Sequence, residues 1–339
     1  MNISVSDPFG VVSDPNMPFL GKALDPLEVQ HQLKLPLTKE DEHVQLNAIR
    51  VTRYKSKRRC LIEYDLKLER PNAPIENITI IGKVRSRGLD LSSYNLVKSL
   101  WNQGFGANSK DGIFVPEPMG VIPEFQMWLQ RKVSGELATK LLPEEKGVAL
   151  AQRIAQAIHK VHQANIPTSR SHIIADELRI LHERLPLVAH IKPQWTQRLE
   201  KILAACDRLG NNLPEPYPRG IHRDFYPDQV IVDESRLYLL DFDLYCQGNP
   251  ALDIGNFIAH IQEQSLRTLG NIEALQDREN ALLKEFIKLT DGTTTIAEIS
   301  AYTTLTLVRH IYLSTLFAER CPFTHVLLEI CEQSLDIAN

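Results

Sequence analysis

The chain has 339 residues, 43% of them hydrophobic and 24% charged, so it can bury a large core, and its length suggests two domains or lobes. A formal net charge of -4 gives no global cationic field, which argues against nucleic acid or a membrane surface as a partner. The five cysteines are scattered without a C-x-x-C pair, and no basic leader or run of about 18 apolar residues is found, so free thiols and a soluble, cytoplasmic protein are expected.

Residues 1–40 are rich in Pro, Asp and Asn and read as an N-terminal extension packed on the strands after it. Its one helical candidate is "DPLEVQHQL", where Asp25 can cap and Pro26 takes the first helical position. "AIRVTRY" and "CLIEYDLKLE" then read as strands; in the second, Ile62, Tyr64, Leu66 and Leu68 alternate with charged residues, the period-two mark of one buried face. The turn "RPNAP" leads to a third strand, "NITIIGKVRS". "DLSSYNLVKSLWNQGF" places Leu96, Val97, Leu100 and Trp101 on one helical face, with Asp90 or Ser92 as cap. "FVPEPMGVI" and "FQMWLQRKV" are two more strands, and Trp128 in the latter is read as a core or boundary aromatic.

From about Pro143 the period becomes helical, interrupted only by strand and turn character around residues 220–245. The fold expected is α+β and bilobal: an N-lobe at 41–131 with an antiparallel sheet and one helix, and a larger, mainly helical C-lobe at 132–339. His159 and His162 lie on an amphipathic helix without an acidic or cysteine partner at ligand spacing, and are read as satisfied imidazoles.

The chemistry gathers in "IHRDFYPDQVIVDESRLYLLDFDLYCQGNPALDIGNF". "QVIV" and "LYLLDF", joined by "DESR", form a hairpin signal. That hairpin would bring Asp224 and Gln229 close to Asp241 and Asp243, and carboxylates so gathered are costly unless a cation lies between them. A Mg2+ site with Gln229 and Asp241 as oxygen ligands would satisfy them and leave Asp224 as a base or hydroxyl-orienting group.

The order H-R-D-x-x-x-x-Q, then D-F-D, then Gly248-Asn249-Pro250-Ala251-Leu252-Asp253 resembles the protein-kinase-like superfamily, and within it the aminoglycoside phosphotransferase and choline kinase branch. The resemblance spans roughly residues 45–320. It implies an ATP- and Mg2+-dependent transfer of the γ-phosphate to a hydroxyl of a small molecule, of aminoglycoside, amino alcohol or sugar type. By the same resemblance Asp224 is the catalytic aspartate, Gln229 and Asp241 are metal ligands, and Asp243 is a second-metal or outer-shell ligand. His222 and Asp253 would hold the loop, Lys83 would pair with nucleotide phosphates, and main-chain groups near Leu129, Gln130 and Arg131 would meet adenine.

Three departures stand out. Gln229 replaces the family's asparagine, one methylene longer. No glycine lies between Gly21 and Gly82, and the first hairpin turn is instead "RYKSKRR", whose Arg53 and Lys55, with Lys57, Arg58 and Arg59, could meet phosphates through side chains. The helix after Lys83 offers Tyr94 or Asn95 where an ion-pairing Glu is expected. These departures support a second expectation, a nucleotide-binding pseudokinase or regulatory module without turnover. Acidic residues of the late helices, Glu263, Glu273, Asp277 and Glu279, would suit a cationic acceptor.

Overall fold

In the computed structural model, residues 3–37, 43–71 and 73–337 are described, and the chain divides into two units, Met1–Ser134 and Gly135–Asn339. The expected change from extension to N-lobe at 40/41 lies outside the described residues, as does Asn72 of the "RPNAP" turn.

The first unit contains β1 (Ser4–Ser6), α1 (Leu20–Leu24), α2 (Pro26–Leu37), β2 (His43–Lys55), β3 (Arg59–Glu69), β4 (Glu76–Arg85) and α3 (Leu91–Leu100). β5 (Ile113–Phe114), β6 (Pro118–Ile122) and β7 (Met127–Arg131) come next. Six of these strands form one sheet in the order β1-β2-β3-β4-β7-β6, with β1 parallel to β2 and the other neighbours antiparallel. The period-two reading of β3 holds, since Ile62, Tyr64, Leu66 and Leu68 are all buried.

The N-terminal segment does more than lie on this sheet. Val11, Met17, Leu20, Ala23, Leu24, Val29 and Leu33 belong to the same buried cluster as the apolar residues of β2, β3 and β4. The Tyr64 hydroxyl donates to the Ala23 carbonyl at 3.0 Å, which ties α1 to the sheet. Asp25 caps α2 as its position suggests, accepting from the Leu27 and Glu28 amides at 2.9 and 3.0 Å. Asp90 does the same for α3, accepting from the Ser93 amide at 3.0 Å.

The second unit begins with β8 (Glu136–Leu137) and the helices α4 (Ala138–Leu141), α5 (Gly147–Ala164), α6 (Ile174–Ile191) and α7 (Thr196–Asn211). A small strand region comes after them: β9 (Arg219–Ile221), β10 (Val230–Asp233), β11 (Arg236–Leu239) and β12 (Cys246–Gly248). α8 (Ala251–Leu269), α9 (Gln276–Thr290), α10 (Ile296–Ser314) and α11 (Thr324–Ser334) complete it. α10 packs on α8 and α6, and α5 packs on α9. Among the described residues, no helix is long and apolar enough to cross a membrane.

The α8–α10 crossing is close because Gly255 has no side chain. A Cβ there would lie 2.6 Å from Tyr302 Cβ and 2.9 Å from the Ile299 carbonyl oxygen, and backbone cannot move aside as a flexible side chain can. Gly255→Ala should therefore lower stability by about 1–3 kcal/mol, measured by urea unfolding; an unchanged midpoint would show that the two helices tolerate separation.

Candidate active site

β10 and β11 pair antiparallel, Val230 opposite Leu239 and Asp233 opposite Arg236, with the turn made through Glu234 at φ 53°. The ladder continues past the strands, because the Leu240 amide donates to the Gln229 carbonyl at 2.9 Å. Gln229, at the end of a short 3-10 turn (Pro227–Gln229), is thus set beside Leu240, one residue from Asp241. β12 returns to pair with β9, Cys246 opposite Ile221, so the chain leaving Asp243 lies against the chain that leads into His222. The hairpin expectation is met, and its register places Gln229 next to the segment that carries Asp241.

The loop between β9 and β10 is held by one carboxylate. Asp253, in the first turn of α8 and 0% exposed, accepts from the His222 amide at 2.8 Å and the Arg223 amide at 2.7 Å. His162 Nε2 on α5 lies 2.8 Å from the same carboxylate and is the third donor. The His222 side chain then carries the constraint onward. Its Nε2 donates to the Leu240 carbonyl at 2.7 Å, and its ring lies 4.7 Å from that of Phe242 and 5.6 Å from that of Phe225. A hydrogen bond to a carbonyl places a proton on Nε2, while Nδ1 is buried without a hydrogen-bond partner among the described residues.

Besides Glu234 in the hairpin turn, Arg223 at φ 70° and Asp241 at φ 55° hold left-handed backbone. Such conformations cost on the order of 1–3 kcal/mol each in a non-glycine residue and persist where the surroundings over-determine them. Both sit next to residues fixed by Asp253 and His222. Asp224, half-buried, comes directly after Arg223, and Asp243 is likewise half-buried.

A second support was not legible in the sequence. Asn256, one helical turn after Asp253, donates to the Phe225 carbonyl at 2.8 Å and accepts from Arg309 of α10 at 2.6 Å. Arg309 also lies 3.5 Å from Glu177 of α6, which accepts from His172 at 2.6 Å. Burial pushes the Glu177 carboxyl up, but the His172 hydrogen bond and the Arg309 charge outweigh it and hold the group below its ordinary value. The spacing of Asp253 and Asn256 puts both on one helix face, a signal that could have pointed to Asn256. Nothing local points to Arg309 or Glu177. His162 is a core imidazole whose Nε2 is partnered by Asp253, but its Nδ1, like that of His159, is buried without a hydrogen-bond partner among the described residues, so the two are not the fully satisfied imidazoles expected.

Behind the loop, Tyr226 stacks on His260 of α8 at 4.6 Å, and His260 meets His310 of α10 edge-on at 4.5 Å. His310 is 1% exposed and neither ring nitrogen has a hydrogen-bond partner among the described residues. Burial, then the charges of Arg309, Arg320 and Arg267, push it down to about 3. Three of the four acidic residues expected to favour a cationic acceptor have partners of their own. Glu263 is buried against Arg267 at 3.2 Å and Asp277 pairs with Arg278 at 2.5 Å. Burial pushes Glu279 up to about 7, although Gln262 donates to it at 2.7 Å. Glu273 is exposed.

In the first unit, Lys83 is half-buried in β4, directly opposite Trp128 of β7, and its Nζ lies 4.7 Å from the indole ring centre. Arg53 and Lys55 are exposed on β2 beside the turn at Lys57, itself left-handed at φ 58°. The charge of Arg59, then burial and the charges of Arg53 and Arg58, lower the Lys55 ammonium below its ordinary value, as expected of a crowded cationic tip. The turn is pinned without glycine: Ser86 Oγ donates to the Lys57 carbonyl at 2.8 Å and the Ser86 amide to the Arg58 carbonyl at 3.0 Å. Asp14 accepts from the Tyr54 hydroxyl at 2.8 Å on the same side.

Leu129, Gln130 and Arg131 do not form a free connection. They lie inside β7 with strands on both sides, Leu129 opposite Gly82 and Gly120. The Arg131 amide donates to the Glu117 carbonyl at 2.9 Å and the Lys132 amide to the Thr79 carbonyl at 2.8 Å. The Arg131 side chain is held by Glu76 at 2.6 Å and Glu117 at 3.0 Å. The amides of Arg131 and Lys132 are therefore used within the sheet.

No group of three or more His, Cys, Asp or Glu side chains suited to a metal is found among the described residues. The donors at the hairpin are one amide oxygen, of Gln229, and the carboxylates of Asp241 and Asp243, which are hard oxygen ligands. Such a set fits Mg2+, which binds through one or two protein groups and takes the rest of its shell from phosphate and water.

Residues 108–283 match the profile of the phosphotransferase enzyme family. A search of curated proteins by sequence finds no match. Among solved structures, a choline kinase from Cryptosporidium parvum Iowa II is 11% identical with a TM-score of 0.61, covering 92% of this chain and 96% of its own. A protein provisionally named an aminoglycoside phosphotransferase, from Ralstonia eutropha JMP134, is 13% identical with a TM-score of 0.62, covering 93% and 99%. A spectinomycin phosphotransferase solved with ADP and spectinomycin is 11% identical with a TM-score of 0.55, covering 92% and 94%. At such identities these likenesses show the fold, an N-terminal antiparallel sheet followed by a mainly helical part.

The supports can be tested in two ways. Asp253→Asn presents an amide N–H to backbone donors that need an acceptor, and should cost about 3 kcal/mol of stability, read by denaturant unfolding. The His310 imidazole lies below its unfolded value of 6.5, so its contribution is fully present above about pH 6.5 and is lost as pH falls toward 3. His310→Leu should therefore lose about 1–2 kcal/mol less than the wild type between about pH 8 and pH 5; parallel pH profiles of the two would refute it.

Proposed function

The chain belongs to the phosphotransferase enzyme family, and on that premise we propose that it transfers the γ-phosphoryl group of ATP, with Mg2+, to a hydroxyl of a small molecule. The observation that carries this reading is the Asp253 carboxylate, which fixes the backbone of His222 and Arg223 and so sets the residue next to them, Asp224. A polar turn with no chemical task has no reason to place a buried carboxylate under two consecutive amides and a left-handed arginine.

In this reading Asp224 accepts a hydrogen bond from the acceptor hydroxyl and aligns its oxygen for in-line attack. As the new oxygen–phosphorus bond forms, the bond from the γ-phosphorus to its bridging oxygen breaks and its electron pair leaves with ADP. The hydroxyl proton passes to the Asp224 carboxylate. Gln229 and Asp241 would hold Mg2+, with Asp243 as a further ligand or its outer support, and the ion would supply positive charge against the phosphates. Lys83 contributes a cation to the phosphates, and Arg53 and Lys55 at the pinned turn do with side chains what a glycine-rich loop does with amides. Adenine would be met by main chain beyond Arg131, because the amides of Arg131 and Lys132 are used by the sheet.

A small acceptor is favoured because β12 and α8 come at once after Asp243, leaving no long segment on which a protein substrate could dock. Since Glu263, Asp277 and Glu279 already have partners in Arg267, Arg278 and Gln262, they give no reason to prefer a cationic acceptor over a sugar-like one.

Asp224→Asn should lower turnover by about 10²–10⁴-fold while ATP affinity stays near the wild-type value, checked by coupled ADP release against a panel of hydroxylated metabolites and aminoglycosides. A wild-type rate in the variant would remove Asp224 from the mechanism. Mg2+-dependent ATP binding with no turnover across the panel would instead point to a regulatory module.

A further inference from the structure

We infer that Trp128 is a positioning residue for Lys83, and that α3 acts on that lysine through aromatic rings where the family is expected to use a carboxylate. The inference rests on the nucleotide role proposed for Lys83. β4 and β7 run antiparallel with Lys83 and Trp128 directly opposite, so both side chains leave the same face of the sheet as neighbours. The ammonium nitrogen lies 4.7 Å from the centre of the indole, within the range where a cation is drawn to the negative ring face.

The indole cannot follow the lysine if it moves. Trp128 is 2% exposed, and Tyr94 of α3 lies against it with ring centres 6.2 Å apart and planes tilted by 58°. Tyr94 is one of the two residues found where a glutamate is expected. α3 is itself fastened to the lysine's own strand, because Arg85, two residues after Lys83, pairs with the helix cap Asp90 at 2.9 Å. Helix, tyrosine, tryptophan and lysine therefore form one connected stack. A lysine has four rotatable bonds, and a fixed ring face removes most of the orientations that its ammonium would otherwise sample. Alongside its other contacts, this ring face restrains Lys83.

A double-mutant cycle on the full chain tests this, with ATP and Mg2+ as the probe, affinity read by calorimetry and folding checked by circular dichroism. Trp128→Leu should weaken ATP binding about tenfold and Trp128→Phe, which keeps a ring face, only about two- to threefold. In the Lys83→Ala background neither change should weaken binding further. Wild-type affinity in Trp128→Leu, when Lys83→Ala has lost it, would overturn the inference alone. An equal loss in both backgrounds would overturn it too, by showing that Trp128 acts through the core. If Lys83→Ala binds ATP as well as the wild type, the inference falls together with the nucleotide role of Lys83. Should Trp128→Leu fail to fold, the phenylalanine variant in the two backgrounds gives the same decision.

Discussion

The buried carboxylate of Asp253 is the constraint on which the second unit's chemistry depends. A carboxylate removed from water is costly unless its lone pairs are filled, and here two backbone amides and an imidazole fill them. Removing any one of the three raises the cost of keeping the others. The consequence is geometric: α5, α8 and two peptide groups of the loop meet at one carboxylate, and the backbone that enters Asp224 has one conformation open to it.

From there the constraint passes through side chains of decreasing polarity. His222 relays it to the Leu240 carbonyl, and its ring is enclosed by Phe225 and Phe242. Asn256 and Arg309 fix the far side of the loop at the Phe225 carbonyl and connect it to Glu177. The left-handed backbone at Arg223 and Asp241 is thereby held in place.

The first unit solves a different problem, how to hold a cationic turn that contains no glycine. Its answer is rigid sheet and short pins. Ser86 and Asp14 hold the turn from two sides, and the N-terminal segment that supplies Asp14 also supplies part of the core. The crowding that lowers the Lys55 ammonium is a measure of how much positive charge that turn concentrates. Lys83, by contrast, is restrained by a ring beneath it and by the strand that carries it.

Much of this was legible in the chain. Alternation in β3 gave the sheet, the caps Asp25 and Asp90 gave helix starts, the run from Gln229 to Phe242 gave the hairpin, and the resemblance of the motifs from His222 to Asp253 implied the loop and the carboxylate that supports it. These are local signals, because backbone periodicity, capping and turn formation act over a few residues. The sequence also marked Leu129–Arg131 as the end of a strand, but could not tell that the main-chain donors there are used by β4 and by Glu117. It showed Trp128 as a core or boundary aromatic, Tyr94 as a residue near the place of the missing glutamate, and Glu263 and Glu279 as available acids. What each of those side chains does is set by a neighbour distant in sequence or on another strand or helix, chosen by strand register and helix crossing. Only packing decides such pairs, since burial and charge are properties of surroundings that no short stretch of sequence contains.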